Sequence, residues 1–114
     1  MKTTKEPTMF FKAIILLKRR DDMSAQDFAS WWLGQHATLA RQLPGLRGLR
    51  FNLVTADGEG AIDGVSELWF DSQEAFEAAY DTKQGRAVAA DSMAHLSRRE
   101  RLFVDEHTLV DTGV

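Results

Sequence analysis

His36 is the residue of this 114-residue chain whose type and setting best suit proton chemistry. It lies in the stretch Ser24–Gly45, which we predict to be a helix because apolar residues recur at three- and four-residue spacing. At roughly 3.6 residues per turn, one face collects Phe28, Trp31, Trp32, Gln35, His36, Leu39 and Leu43. Imidazole exchanges protons near neutral pH, so His36 is a candidate general acid or base. The alternative is a partly buried histidine hydrogen-bonded to backbone between helix and sheet.

Two further residues could act with His36. Glu67 lies within an apolar stretch that we predict to be a strand, and if buried it requires a partner such as His36 or His107. His107 shares strand parity with Phe103 and Leu109. Two alternatives remain: an exposed edge position for Glu67, and a structural hydrogen bond at a dimer interface for His107.

A pocket for a flat apolar ligand is the second feature that the residues suggest. The candidate lining residues are Trp32, Leu39, Phe51 and Trp69. Core packing is the alternative for each of them. Two histidines and a carboxylate invite a metal hypothesis, but they lie on separate elements without short ligand spacing, and the chain has no cysteine. We therefore expect no metal and no cofactor.

Charge and hydropathy limit the other partners. The net charge of −3 argues against nucleic acid, and the apolar run Phe10–Leu17 is too short to span a membrane. Residues 1–8 lack the apolar core of a signal peptide, so we expect a flexible leader, one domain over residues 9–111 and a cytoplasmic protein.

The elements that position these residues follow from the hydrophobic pattern. The strands are predicted at Phe10–Leu17, Leu46–Val54, Val65–Phe70 and Leu102–Val110. The first helix runs from Ser24 to about Gln42 and is ended by Pro44-Gly45. A second helix, capped by Asp71 or Ser72, buries Ala75, Phe76, Ala79 and Tyr80, and a short helical segment follows at Gly85–Met93. His95–Arg101 is predicted to be a polar connection.

This order is β-α-β-β-α-β, an α+β, ferredoxin-like arrangement with a four-stranded antiparallel sheet. Such a sheet carries helices on one face only. The predicted strands at Phe10–Leu17 and Val65–Phe70 are apolar on both faces, so a second subunit is the simplest cover for the other face.

Several motifs, in this order and spacing, resemble the EthD family, named for a protein of ethyl tert-butyl ether degradation. They are the W-x-x-x-H run ending at His36, the LPGLRG turn, the ELWF strand at Glu67 and the terminal Glu106-His107. The resemblance covers roughly Phe10 to Val110. It implies a dimeric α+β barrel, in which two protomers face their sheets together, with a cavity between helix and sheet.

The resemblance does not imply one reaction. The family's namesake is an accessory to a cytochrome P450 system, whereas relatives include a lactone isomerase and fungal dehydratases, and distant ones are cofactor-free monooxygenases or haem-degrading enzymes. This sequence also departs from the family pattern. Thr38 replaces a frequent proline, and Gly34-Gln35 replaces a frequent acidic residue, so a carboxylate that orients His36 is expected from the sheet.

We therefore expect a protein that binds a small, mostly apolar metabolite between helix and sheet. It could be a cofactor-free isomerase, dehydratase or oxidoreductase, the last by family transfer and in the setting of ether degradation. His36 would be the general acid or base, with Glu67 or His107 orienting it. The alternative is a non-catalytic accessory protein that binds a ligand for a partner oxygenase.

Overall fold

Four antiparallel strands form a single sheet. A computed structural model of the chain describes residues 10–55 and 61–113, and the predicted leader lies outside these ranges. The strands are β1 (Phe11–Arg19), β2 (Gly48–Leu53), β3 (Gly64–Phe70) and β4 (Leu96–Val104). Their order across the sheet is β2-β3-β1-β4, with every neighbouring pair antiparallel. This confirms the predicted four-stranded, ferredoxin-like α+β fold.

The first helix has three consecutive parts: α1 (Ala25–Trp31), a π-helical turn at Trp32–His36, and α2 (Ala37–Ala40). Its start is fixed by Ser24, whose hydroxyl accepts a hydrogen bond of 3.0 Å from the backbone N–H of Asp27. The helix ends before Pro44, as predicted. The π turn was not predicted, because a regular 3.6-residue period was assumed throughout.

The second helical region is α3 (Gln73–Tyr80) followed by α4 (Lys83–His95). Ser72 caps α3 and Thr82 caps α4, each accepting a hydrogen bond of 3.0 Å from a backbone N–H. The prediction placed α4 at Gly85–Met93, two residues short at each end. None of the helices in the described parts of the chain is long and apolar enough to cross a membrane.

The core lies between the helices and one face of the sheet. In β1 the side chains of Ala13, Ile15 and Leu17 are buried, while the alternate residues face the other side. From the helices, Phe28, Trp32, Phe76 and Val88 pack against this face. None of the helices formed by residues 10–55 and 61–113 lies on the opposite face, which we call the open face.

The predicted position of the last strand is wrong by six residues. The prediction was Leu102–Val110, whereas β4 spans Leu96–Val104 and pairs with β1 alone. The charged run Arg98–Arg101 suggested a loop because it has no apolar alternation. At the edge of a sheet, however, charged side chains reach solvent while the backbone completes the ladder. His107 therefore lies beyond the strand, in exposed irregular chain.

Two helical glycines give a matched test of how closely α3 and α4 pack. A Cβ at Gly85 would overlap the backbone of Ala79 and Tyr80, whereas a Cβ at Gly34 would meet nothing within 4 Å. We expect Gly85→Ala to lower the free energy of unfolding by about 1–3 kcal/mol, since neither backbone can yield cheaply.

The control, Gly34→Ala, is expected to leave the free energy of unfolding unchanged or raise it by up to about 1 kcal/mol. Urea denaturation of both variants measures the difference. Equal effects of the two substitutions would contradict the close packing at Gly85.

Candidate active site

A small cavity lies between the first helix, α3, α4 and the helix-covered face of the sheet. Its apolar wall includes Ile15, Leu17, Ala40, Leu49, Phe51, Leu68 and Val88. Its polar groups are His36, Ser66, Tyr80, Ser92 and Arg99. The space open to the centre of a water-sized sphere is about 20 Å³, which is room for roughly one water molecule. Any larger ligand requires lining side chains to move.

His36 is held in this wall by a carboxylate from α4. Its Nδ1 lies 2.8 Å from Oδ2 of Asp91, and the two side chains are only 6% and 8% exposed. The prediction that the orienting carboxylate comes from the sheet is therefore wrong. The first helix and α4 lie side by side on the same face of the sheet, so the carboxylate comes from the neighbouring helix.

Asp91 accepts hydrogen bonds from two more side chains of the first helix. Nε1 of Trp31 donates to Oδ2 at 3.0 Å, and the amide of Gln35 donates to Oδ1 at 2.7 Å. His95, one turn further along α4, stacks on the Trp31 ring with centroids 4.3 Å apart. Each carboxylate oxygen therefore has a donor.

The π turn explains how neighbouring residues reach the same carboxylate. Trp32–His36 is wound more widely than an α-helix, which changes the angle between successive side chains. Gln35 and His36 are adjacent in sequence, yet one contacts Oδ1 and the other Oδ2 of Asp91. Such single π turns occur frequently at functional sites.

The charges in this cluster favour a neutral imidazole next to an ionised carboxylate. Burial lowers the pKa of His36 below its usual value, and the opposing effect of Asp91 does not fully offset it. Burial alone would raise the pKa of Asp91, but hydrogen bonds from His36, Trp31 and Gln35 leave it below its usual value. An ionised carboxylate only accepts hydrogen bonds, so the network assigns the proton of His36 to Nδ1.

This assignment leaves Nε2 as the basic atom of the cavity. A neutral imidazole with Nδ1–H held by a carboxylate accepts a proton at Nε2 and is then stabilised as the imidazolium by the same carboxylate. Such an imidazole is chemically capable of acting as a general base and then as a general acid. Within the described residues, no group of three or more His, Cys, Asp or Glu side chains could hold a metal ion.

Glu67 does not join this site. It alternates with the cavity residues Ser66 and Leu68 along β3, so it faces the open side of the sheet. There Oε1 accepts a hydrogen bond of 2.9 Å from Nζ of Lys12, and Oε2 accepts one from Asn52. Burial opposes ionisation of Glu67, but these contacts hold its pKa below the usual value.

The other predicted residues divide between the cavity, the core and the open face. Phe51 lines the cavity as predicted. Trp32 is fully buried and stacks on Phe51 with centroids 4.4 Å apart, and Leu39 packs at the edge of the core. Trp69 lies on the open face, where its Nε1 donates to Glu106 at 3.0 Å. His107 is exposed and lies outside the cavity.

Sequence reasoning missed Asp91 and Arg99, and it placed Gln35 on the same helix face as His36 without giving it a role. A signal for Asp91 was available, because it is the only acidic residue between Lys83 and His95. It also lies next to the stripe formed by Val88, Ser92 and His95, whose spacing places them on one side of a helix. The placement of Arg99 depends on β4, whose position was predicted wrongly.

The dyad predicts the effect of removing the Asp91 charge. In Asp91→Asn the burial of His36 is no longer opposed by a carboxylate, so its pKa is expected to fall further below that of the wild type. Imidazole resonances followed by NMR across a pH titration measure this. Asp81→Asn is the matched control, because that side chain is 90% exposed. An unchanged or higher pKa for His36 in Asp91→Asn would contradict the dyad.

The family model of the EthD domain matches residues 20–112. No curated protein sequence matches the chain. Among solved structures, an EthD family protein from Bacillus halodurans has a TM-score of 0.74 at 25% identity, covering 87% of this chain and 100% of that chain.

Two structures at lower identity share the fold with this chain. A dimeric ferredoxin-like protein of unknown function from Thermobifida fusca has a TM-score of 0.72 at 19% identity, covering 93% of this chain and 99% of the other. The hydroxynitrile lyase from Passiflora edulis has a TM-score of 0.72 at 12% identity, covering 92% and 100%. Since the family match spans most of its sequence, this protein belongs to the EthD family.

Proposed function

We propose that this protein transforms a small, mostly apolar metabolite by proton transfer at His36, without a cofactor in that step. The observation that carries the proposal is the fixed imidazole of a buried dyad in a largely apolar cavity. Asp91 occupies Nδ1, so a molecule in the cavity meets Nε2. A base in this state is ready to accept a proton near neutral pH.

Isomerisation and dehydration both begin with such a transfer. The base removes a proton from the substrate, and the imidazolium returns it either to a second carbon or to a departing hydroxyl group. Positioned general bases of this kind contribute roughly 10²–10⁴-fold in rate. Oxidation of an activated phenol also begins with loss of a proton, so the dyad is compatible with all three reaction types expected from the sequence.

The small volume of the cavity favours a second candidate function. The cavity holds about one water molecule in this structure. A closed cavity of this size is also expected for a carrier protein that opens only when it meets a partner or takes up a product. In this alternative the protein binds a ligand for an oxygenase and performs no chemistry. Turnover distinguishes the two.

The test is a panel of lactones, phenols and enolisable ketones incubated with the protein in D2O. NMR and mass spectrometry detect deuterium incorporated at carbon as well as new products. We expect at least one compound to be exchanged or converted by the wild type, and about 10²-fold more slowly by Asp91→Asn. Asp81→Asn is the matched control and is expected to match the wild type.

Binding of a panel compound with no exchange and no product would contradict the enzymatic proposal and support the accessory role. Turnover that is insensitive to Asp91→Asn would place the chemistry away from the dyad.

We also propose that the open face of the sheet is covered by a second copy of the chain. Ile14, Leu16 and Val65 are only partly buried there, and Leu102 is 43% exposed. A charged cluster of Lys12, Glu67 and Glu106 lies among them. Apolar surface of this kind is costly to leave in water, and the Thermobifida fusca structure is of a dimeric protein.

Light scattering at micromolar concentration tests the homodimer, with an expected mass of two chains. Ile14→Glu places a second carboxylate beside Glu67 on the open face, since Ile14 and Glu67 are register partners, and it is expected to shift the mass to one chain. Met93→Glu, on an 81% exposed side chain of α4, is expected to leave the dimer intact. A wild-type mass of one chain would contradict the proposal.

A further inference from the structure

We propose that Arg99 receives the negatively charged oxygen of the ligand in the His36 cavity, so that the substrates are carbonyl or phenolic compounds that react as enolates or phenolates. This inference rests on the proposed proton transfer at His36. Beyond that proton transfer, Arg99 supplies a second substrate-binding residue, a substrate class and a path of access to the cavity.

The register of the sheet places Arg99 at the cavity. It is the partner of Leu17 across the β1–β4 ladder, and Leu17 is a buried residue of the helix-covered face. Arg99 therefore projects towards the helices, at the edge strand, and contributes to the same cavity wall as His36. Its positive charge acts to lower the pKa of both His36 and Tyr80, which also line the cavity.

Arg99 has no carboxylate partner within residues 10–55 and 61–113. Arg19, Arg20, Arg47 and Arg86 each pair with an aspartate. Among the remaining arginines, Arg99 is distinguished by its place in the wall of the His36 cavity. A guanidinium at the border of an apolar cavity is a strong site for an anionic oxygen, because its N–H donors are fixed in a plane and remain charged. The hydroxyl oxygen of Tyr80 accepts a hydrogen bond from Arg99, and a ligand anion would supply the negatively charged partner that the described residues do not.

A second, larger cavity adjoins the first at Arg99. It has about 210 Å³ and is lined by Ser92, Met93, Leu96, Ser97, Arg98 and Arg99. Ser92 and Arg99 belong to both cavity walls. The outer cavity lies between α4 and β4 and is the more open of the two. A ligand that approaches through it meets the flexible Arg99 side chain first, and displacement of that side chain joins the two spaces.

The proton transfer is balanced with these groups alone. Nε2 of His36 takes the proton as the substrate C–H bond breaks, and the electron pair of that bond forms the enolate double bond. The charge moves to the carbonyl oxygen, where the Arg99 guanidinium stabilises it. Burial raises the pKa of Tyr80 despite the charge of Arg99, so its hydroxyl stays protonated and able to donate. Return of the proton to another carbon completes an isomerisation.

The test uses two probes that differ in one oxygen atom, 4-nitrophenolate at mildly alkaline pH as an enolate mimic and nitrobenzene as the neutral compound without that oxygen. We expect the wild type to bind the phenolate about tenfold more tightly or better, as measured by fluorescence quenching or NMR titration. Arg99→Gln is expected to abolish that preference, and Arg99→Lys to restore part of it.

Arg101→Gln is the matched control. Arg101 lies two residues along the same face of β4, where its guanidinium is over the rings of Phe76 and Phe103 rather than in the cavity wall. It is expected to keep the wild-type preference. Failure of the wild type to bind either probe, equal binding of the two, or a preference that survives in Arg99→Gln would each overturn the proposal.

His36→Gln separates this inference from the proposed function. It is expected to retain the phenolate preference while losing proton transfer on the panel compounds. Should no panel compound be exchanged by the wild type while the preference depends on Arg99, the enzymatic proposal fails and the oxyanion site stands. If the wild type converts a panel compound but Arg99→Gln keeps the preference for the phenolate, the enzymatic proposal stands and the oxyanion site at Arg99 fails.

Discussion

The geometry of the candidate site depends on the carboxylate of Asp91. It accepts hydrogen bonds from three side chains of the first helix, Trp31 at the end of α1 and Gln35 and His36 in the π turn. Hydrogen bonds to a charged group contribute roughly 1.5–3 kcal/mol each, and a buried carboxylate without donors would be strongly unfavourable. Asp91 thus fixes α4 against the first helix and sets the orientation and tautomer of His36 at the same time.

The two faces of the sheet carry different polar systems. On the helix-covered face, the His36–Asp91 dyad and Arg99 meet an apolar cavity. On the open face, Lys12 is bound to Glu67 and lies 4.6 Å from the Trp69 ring centroid. Because side chains alternate along a strand, Glu67 cannot contribute to both faces. The proposed chemistry therefore belongs to the first system and the proposed interface to the second.

Close backbone approach is the constraint that brings the helices into position. Gly85 lets the start of α4 contact the end of α3, and the caps at Ser72 and Thr82 fix where each helix begins. The direction of α4 then carries Asp91 to the first helix. The π turn at Trp32–His36 completes the match, because it directs two adjacent side chains to one carboxylate.

The sequence alone determined the order of elements, the helix that carries His36 and the family, since these depend on local periodicity, caps and contiguous motifs. It also named Phe51 among four candidate lining residues, and Phe51 does lie in the cavity wall. Only the tertiary structure decided which carboxylate meets His36, that Glu67 lies on the opposite face, and that Arg99 reaches the cavity. The sequence left the face of Glu67 undecided because its strand is apolar on both faces. The contact between His36 and Asp91 depends on the packing of two helices across 55 residues of sequence, and the placement of Arg99 depends on the register of a charged edge strand. No local pattern encodes such long-range distances.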